Sequence, residues 1–287
     1  MKYFAALILS ISSAQFLIAQ EYPIIILEEG HILVGVTLND SIQANFILDT
    51  GAGAVVLSSK TFDKIARSAE KSGFFTGFRH DGDRLDGELF KIPSIKLGSY
   101  EKTDILTGVY PPLDNYGIDG LISLKFFEDQ PFTIDYKNSV LRLISKEKVA
   151  EQASNNTVLP ISLNRIGEIS LDMNIIICVN EQLEVSAEFD TGSGHGLFLV
   201  NPYFMKELGI DSSEVIQQTY TTPISGRTLT DYVFSEGQAG ICSDGTGMKQ
   251  PLIFREGLIY EALIGSGLFK EKAITIDISG KQFIIVD

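Results

Sequence analysis

Basic residues are scarce in this chain. Across 287 residues, 23 Lys and Arg stand against 37 Asp and Glu, a formal net charge of −14. Nucleic acids and anionic membranes call for basic patches, so neither is an expected partner. Histidine and cysteine are scarcer still: His31, His80 and His195, with Cys178 and Cys242. That set is too small for a zinc site of the usual kind, and neither metal nor cofactor is expected. No Gly-x-Ser-x-Gly or other nucleophile motif is present. Long apolar runs are lacking too. The run over residues 3–11 follows Lys2 and is broken by Ser10, Ser12, Ser13 and Gln15. A basic start, a short apolar core and small residues near a cut site describe a secretory signal peptide over residues 1–20, cut after Ala14 or Ala19. The mature protein is therefore expected outside the cytoplasm, periplasmic or secreted, with no stable membrane insertion after cleavage. In that compartment Cys178 and Cys242 either pair or remain buried thiols.

What the chain does have is short β-branched and apolar runs, punctuated by Gly, Asn and Asp. These read as strands and hairpins. Residues 24–27, 31–38, 42–48 and 55–57 open the series, and Ser58 or Ser59 can cap a short helix over residues 61–71. Residues 92–97, 105–109, 132–135 and 140–144 continue it, with a short helix at 124–127. Asp81, Asp83 and Asp86 suggest a calcium loop at a glance, but Leu85 and Asp86 fall where an EF-hand needs an oxygen ligand and a glycine. A polar hairpin tip is the expectation there. Residues 146–157 are polar and read as a linker. The plan then restarts, with strands over 161–163, 169–179, 183–189 and 197–200, and a helix from Asn201-Pro202 to about Leu208.

The restart is a repeat. Phe46-Ile47-Leu48-Asp49-Thr50-Gly51-Ala52-Gly53 returns as Ala187-Glu188-Phe189-Asp190-Thr191-Gly192-Ser193-Gly194, 141 residues later. Leu121-Ile122-Ser123 matches Leu263-Ile264-Gly265, Phe127 matches Phe269, and Thr133-Ile134-Asp135 matches Thr275-Ile276-Asp277, all at an offset of 142. A near-constant offset over four landmarks is an internal duplication. It predicts two β-rich lobes about a pseudo-twofold axis: residues 21–146, a linker at 147–158, and residues 159–287. Residues near such an axis meet their counterparts, so Asp49 and Asp190 are predicted to be neighbours. Two carboxyls that close share a proton, one serving as base while the other serves as acid. Thr50 and Thr191 can hydrogen-bond across the junction. Gly51 and Gly192 let backbone N–H groups approach the carboxylates.

The two motifs resemble the active-site loops of aspartic proteases. Gly120-Leu121-Ile122-Ser123 with residues 132–135, and Ala262-Leu263-Ile264-Gly265 with residues 274–277, are similar to that family's apolar-apolar-Gly segments and closing strands. The closer likeness is to bacterial retropepsin-like proteins, with both copies in one chain, and it spans residues 24–287. The resemblance implies an all-β, bilobal, double-barrel-like fold with short helices. It also implies an endopeptidase that hydrolyses peptides or proteins with water activated between Asp49 and Asp190. Thr50, Gly51, Ala52, Thr191, Gly192 and Ser193 would support the loops.

Two departures stand out. Ser123 replaces the family's glycine, and Ala52 stands where the second copy has Ser193. The Ser193 hydroxyl can donate to Asp190, whereas Ala52 offers Asp49 nothing. The aspartates are therefore predicted to be unequal, with Asp49 the more often protonated. The family covers its cleft with a flap, and residues 74–89 and 220–232 are the candidates, ordinary surface hairpins being the alternative. His195 reads as a loop residue. No long polar stretch follows the leader, so no pepsin-like propeptide is expected. The competing readings are a catalytically inactive peptide-binding protein and a dyad formed between two chains. Duplication makes the second unnecessary, and a monomer is expected.

Overall fold

The computed structural model describes residues 20–196, 198–242 and 247–286. The signal-peptide reading lies outside the described residues except at Gln20, which opens the first strand, and Leu197 lies outside them too.

Three sheets make up the molecule. The first lobe is built on an eight-stranded sheet with Ile32–Leu38, Ile42–Leu48, Gly120–Ile122 and Val55–Leu57 at its centre. Tyr100–Val109, Arg84–Leu97 and Glu70–Phe78 extend it on one side. An additional pairing of Thr37 and Leu38 with Lys96 and Ile95 curls this sheet toward closure. The second lobe repeats the plan. Ser170–Val179, Leu183–Phe189, Ala262–Ile264 and Phe198–Val200 stand where the first four stood. The register is the same in both. Ile47 pairs in parallel with Leu121, and Glu188 pairs in parallel with Leu263. Alternation along these strands sends one set of side chains inward. Phe46 and Leu48 in one lobe, and Ala187 and Phe189 in the other, are fully buried in the continuous core.

The third sheet joins the lobes. Phe132–Asp135 pairs antiparallel with its own counterpart strand, Ala273–Asp277. Thr133 lies opposite Thr275, and their hydroxyls are 2.6 Å apart. A residue paired with its repeat mate, 142 positions away, marks where the pseudo-twofold axis passes.

Local differences from the sequence reading have simple causes. The helix expected over 61–71 is Ser59–Ile65, capped by the Ser58 side chain and followed by a 3-10 turn, Ala66–Ser68. Glu70 and Lys71 are drawn into the long hairpin by strand pairing. The helix expected after Asn201 is a 3-10 turn, Pro202–Met205, with the Asn201 side chain accepting from the Tyr203 N–H. The polar stretch read as a linker forms a helix, Lys146–Asn155. Ser145 caps it, and Val149 and Ala153, four residues apart, pack with Ile144 and Ile284. Cys178 and Cys242 form a disulfide.

Candidate active site

Asp49 and Asp190 each end a buried strand, Ile42–Leu48 and Leu183–Phe189, at the turn that crosses the lobe junction. The structure brings them face to face. A Cβ added to Gly51 would lie 2.4 Å from the Asp190 carboxyl carbon, and one added to Gly192 would lie 2.4 Å from that of Asp49. Glycine at both places is therefore a steric requirement of the approach. The two threonines hold the turns together reciprocally. The Thr50 N–H donates to Thr191 Oγ1 at 3.0 Å and the Thr191 N–H to Thr50 Oγ1 at 3.0 Å. The hydroxyls in turn donate to the carbonyls of Phe189, at 2.5 Å, and Leu48, at 2.6 Å. All four bonds cross between the lobes and both threonines are fully buried, so the junction is rigid.

The two carboxyls are supported differently. Asp49 Oδ1 accepts from the N–H groups of Gly51, at 3.0 Å, and Ala52, at 2.9 Å. Asp190 Oδ2 accepts from the Ser193 hydroxyl at 2.5 Å, while its buried Oδ1 receives no donor from outside the pair of carboxyls. Burial above all, then the charge of Asp190 and a hydrogen bond shared with it, holds the Asp49 carboxyl well above the usual carboxylate range. The two backbone donors oppose this without overcoming it.

Other groups gather here that the motifs do not contain. His31 Nε2 donates to the Gly192 carbonyl at 3.0 Å. Asp172 stands in the repeat where His31 stands in the first lobe, because Leu33 pairs with Ile47 as Asn174 pairs with Glu188. Its carboxyl lies against Gly53, and burial pushes it up to about 6, against the pull of a hydrogen bond from Ser170. Glu188 is 1 % exposed, and burial pushes it up to about 9, with Asp190, Asp172 and Asp49 adding to the rise. Tyr260 is the neighbour that opposes this rise, yet neither Glu188 oxygen has a partner in hydrogen-bonding geometry. His195 lies beyond the second motif, its Nδ1 3.1 Å from Ser266 Oγ.

The two candidate flap hairpins run from Glu70–Phe78 to Arg84–Leu97 and from Ile216–Thr221 to Thr228–Phe234. Their tips are tied to each other. Asp83 accepts from the N–H groups of Ile224 and Ser225, both at 3.0 Å, and from the Ser225 hydroxyl. Asp81 accepts from the Tyr220 hydroxyl at 2.9 Å, and Arg227 donates to the Asp81 carbonyl at 2.8 Å. Beneath the tips, Arg255 stacks on the Tyr220 ring at 3.8 Å and makes a two-pronged pair with Asp231 at 2.8 and 2.6 Å. His80 Nε2 lies 3.2 Å from Arg255 Nη1. Burial foremost, and then Arg79 and Arg255, lowers the His80 pKa. Burial alone would raise Asp83, but the Ser225 and Ile224 donors outweigh it and hold its carboxyl below the ordinary range.

Sequence reasoning singled out the hairpins but not their union. Asp81 and Asp83 read as tip residues, and their almost complete burial depends on partners 139–146 positions away. Glu188 sat within the quoted motif. Laying the two copies over each other, acid against Ile47, was the signal that would have exposed it.

The chain has the bilobal, nearly all-β aspartic-protease-like fold. Residues 34–126 match the family model described as aspartyl protease, a stretch that includes Asp49 and ends before Asp190. Among solved structures, basic 7S globulin from soybean is similar at a TM-score of 0.53 and 10% identity, over 93% of this chain and 94% of that one. Conglutin gamma, a basic 7S globulin from lupine seeds, is similar at 0.55 and 10%, over 94% and 95%. At that identity the likeness concerns the fold. No curated protein matches the chain.

Proposed function

We propose that the protein is an aspartic-type endopeptidase acting as a monomer outside the cytoplasm. The observation that carries the reading is the reciprocal fit of each motif glycine against the opposite aspartate, locked by the crossed threonine bonds. Two carboxyls in that arrangement hold one proton between them. The ionised member takes a proton from a water molecule, whose oxygen adds to the peptide carbonyl carbon. The protonated member gives its proton to the carbonyl oxygen, and the amine leaves after a proton returns to its nitrogen. Asp49, held high, is the member that carries the proton at rest. The disulfide between Cys178 and Cys242 supports an oxidising compartment.

A second reading has one observation in its favour: the tips of the two hairpins are tied to each other. A protein that keeps this closure would grip a peptide without turning it over.

The test is cleavage of a mixed peptide library between pH 3 and 8, with and without a statine-type inhibitor. Asp49→Asn and Asp190→Asn are each expected to lower the rate about a thousandfold or more. Cleavage that survives either change contradicts the shared dyad. Peptide binding by the unaltered protein with no cleavage at any pH favours the second reading.

A further inference from the structure

Residues 186, 188 and 190 alternate onto one face of the strand Leu183–Phe189 and its turn, so Glu188 shares a face with Asp190. Directly across the antiparallel pair is Asn174, and two residues further along that strand is Asp172, level with Asp190. On the other side, Glu188 lies beside Leu263, which is paired with Leu199. Leu199, Leu258 and Leu263 form a small apolar cluster apart from the main core, with the Tyr260 ring and Ile253 packed on it. The wall of the second lobe next to Asp190 thus combines a buried leucine cluster, the partly exposed Tyr260 and Ile253 packed on it, and the carboxyls of Glu188 and Asp172 beside it.

The same wall in the first lobe is different. Ile47 takes the place of Glu188, with Leu121 beside it and Val56 next in register. The Phe75 ring from the hairpin packs near Val56 at Gly108. Apart from His31, which stands in the place of Asp172, that wall is apolar.

A buried carboxyl with both oxygens unpartnered is a rare and costly arrangement. It calls for a ligand that brings hydrogen-bond donors into an otherwise greasy niche. Among the described residues, the oxygens of Asp172, Glu188 and Asp190 do not converge on one point as a set of metal ligands would. A compact cation is therefore less suited than an elongated one. A lysine or arginine side chain has the right shape: an aliphatic stem to lie along Tyr260 and Ile253, the partly exposed members of the cluster, and a charged head with several donors. We propose that the wall beside Asp190 is a subsite for a basic side chain, Lys or Arg, of the peptide that crosses the dyad. Ile47 and its neighbours take an apolar side chain on the opposite side of the scissile bond.

The proposal rests on the endopeptidase reading and names its substrate class. Its electrostatics are consistent. Tyr260, Asp190, Asp172 and Asp49 are the titratable groups that act on Glu188, and together with burial they leave it protonated at neutral pH. Arrival of a basic head group makes the ionised form favourable, so binding releases a proton from Glu188 to solvent.

The experiment uses matched peptides that carry Lys, Arg or norleucine beside the scissile bond. Cleavage is measured with the unaltered protein, and binding is measured by calorimetry in two buffers with Asp49→Asn. Lys and Arg peptides are expected to be cut about tenfold or more faster than the norleucine peptide, and to bind with proton release. Glu188→Leu should reverse the preference while still cutting the norleucine peptide. Glu188→Gln, nearly isosteric, should abolish both preference and proton release. An unchanged preference in Glu188→Gln and Glu188→Leu overturns the subsite. Cleavage without basic preference removes the subsite and leaves the endopeptidase reading standing. Basic-selective, proton-releasing binding with no cleavage does the reverse, and no binding and no cleavage removes both.

Discussion

The two lobes are built to one plan and fitted with different chemistry. At the junction they are equal: Thr50 and Thr191 make the same two bonds in opposite directions, and Gly51 and Gly192 press on opposite carboxyls at the same distance. One residue further on, Ala52 contributes only its N–H to Asp49, while Ser193 contributes a hydroxyl to Asp190. Two positions before each aspartate, Ile47 in one lobe corresponds to Glu188 in the other, and a strand away His31 corresponds to Asp172. Fold duplication therefore holds tightest where the backbone must approach itself, and relaxes at the side chains around that junction. The difference teaches that one lobe is stabilised by its cleft wall while the other carries a cost there.

That cost is the first way to break the comparison. The Glu188 carboxyl keeps its proton to about 9 in the folded protein, against an ordinary value of 4.5. Between those values the folded state binds the extra proton, so stability falls as pH rises. The slope is about 1.4 kcal/mol per pH unit, or about 4 kcal/mol from pH 5 to pH 8. Glu188→Gln is expected to flatten this part of the urea-denaturation profile, whereas Ile47→Val in the other lobe should leave it alone. An unaltered slope in Glu188→Gln would mean that the carboxyl titrates normally.

The equality at the junction is tested next. Thr50→Ala and Thr191→Ala each remove two buried inter-lobe bonds, and each is expected to cost about 2 kcal/mol. Thermal unfolding should show the two variants alike. A cost confined to one of them would show that the grip is not reciprocal.

The tie between the hairpins sharpens the comparison at the other end of the lobes. Asp83 has a lowered carboxyl, so its contribution to the closed state is complete above about pH 4 and is lost as pH falls through the folded value. Asp83→Asn should speed amide exchange in residues 79–83 and 222–227 at neutral pH. Equal protection in both proteins would mean that the tips are held by something other than this carboxylate.

The smallest effect belongs to Ser193. Its loss in Ser193→Ala should move the acid limb of the pH–rate profile upward by less than about one unit, and Ala52→Ser should narrow the difference between the aspartates. If neither limb moves, the hydroxyl does not set the inequality.

The sequence carried the fold through its repeat. The near-constant offset of its landmarks predicted a pseudo-twofold axis, and the paired Asp-Thr-Gly turns predicted that Asp49 lies beside Asp190; that the axis passes between Thr133 and Thr275 came from the strand pairing. Boundaries were less legible, because pairing extends strands into what local propensity reads as helix, as at Glu70 and Lys71. The stretch after Ser145 looked like a linker because it holds only Val149 and two alanines among polar residues, yet Val149 and Ala153, one turn apart, suffice when a cap and a sheet edge await them. The burial of Asp81, Asp83, Asp172 and Glu188 was not legible, for a common reason. Their environments are made by strands far away in sequence, and a charged residue in a single chain reads first as solvated surface.

The central claim is that Asp49 and Asp190 act as one unit. The most direct measurement is the rate of peptide cleavage by Asp49→Asn, Asp190→Asn and the double variant at a single pH. A shared dyad predicts that each single change removes nearly all activity and that the double variant is no slower than either one. Losses that multiply, with either single variant still turning over, would show that the two aspartates work apart.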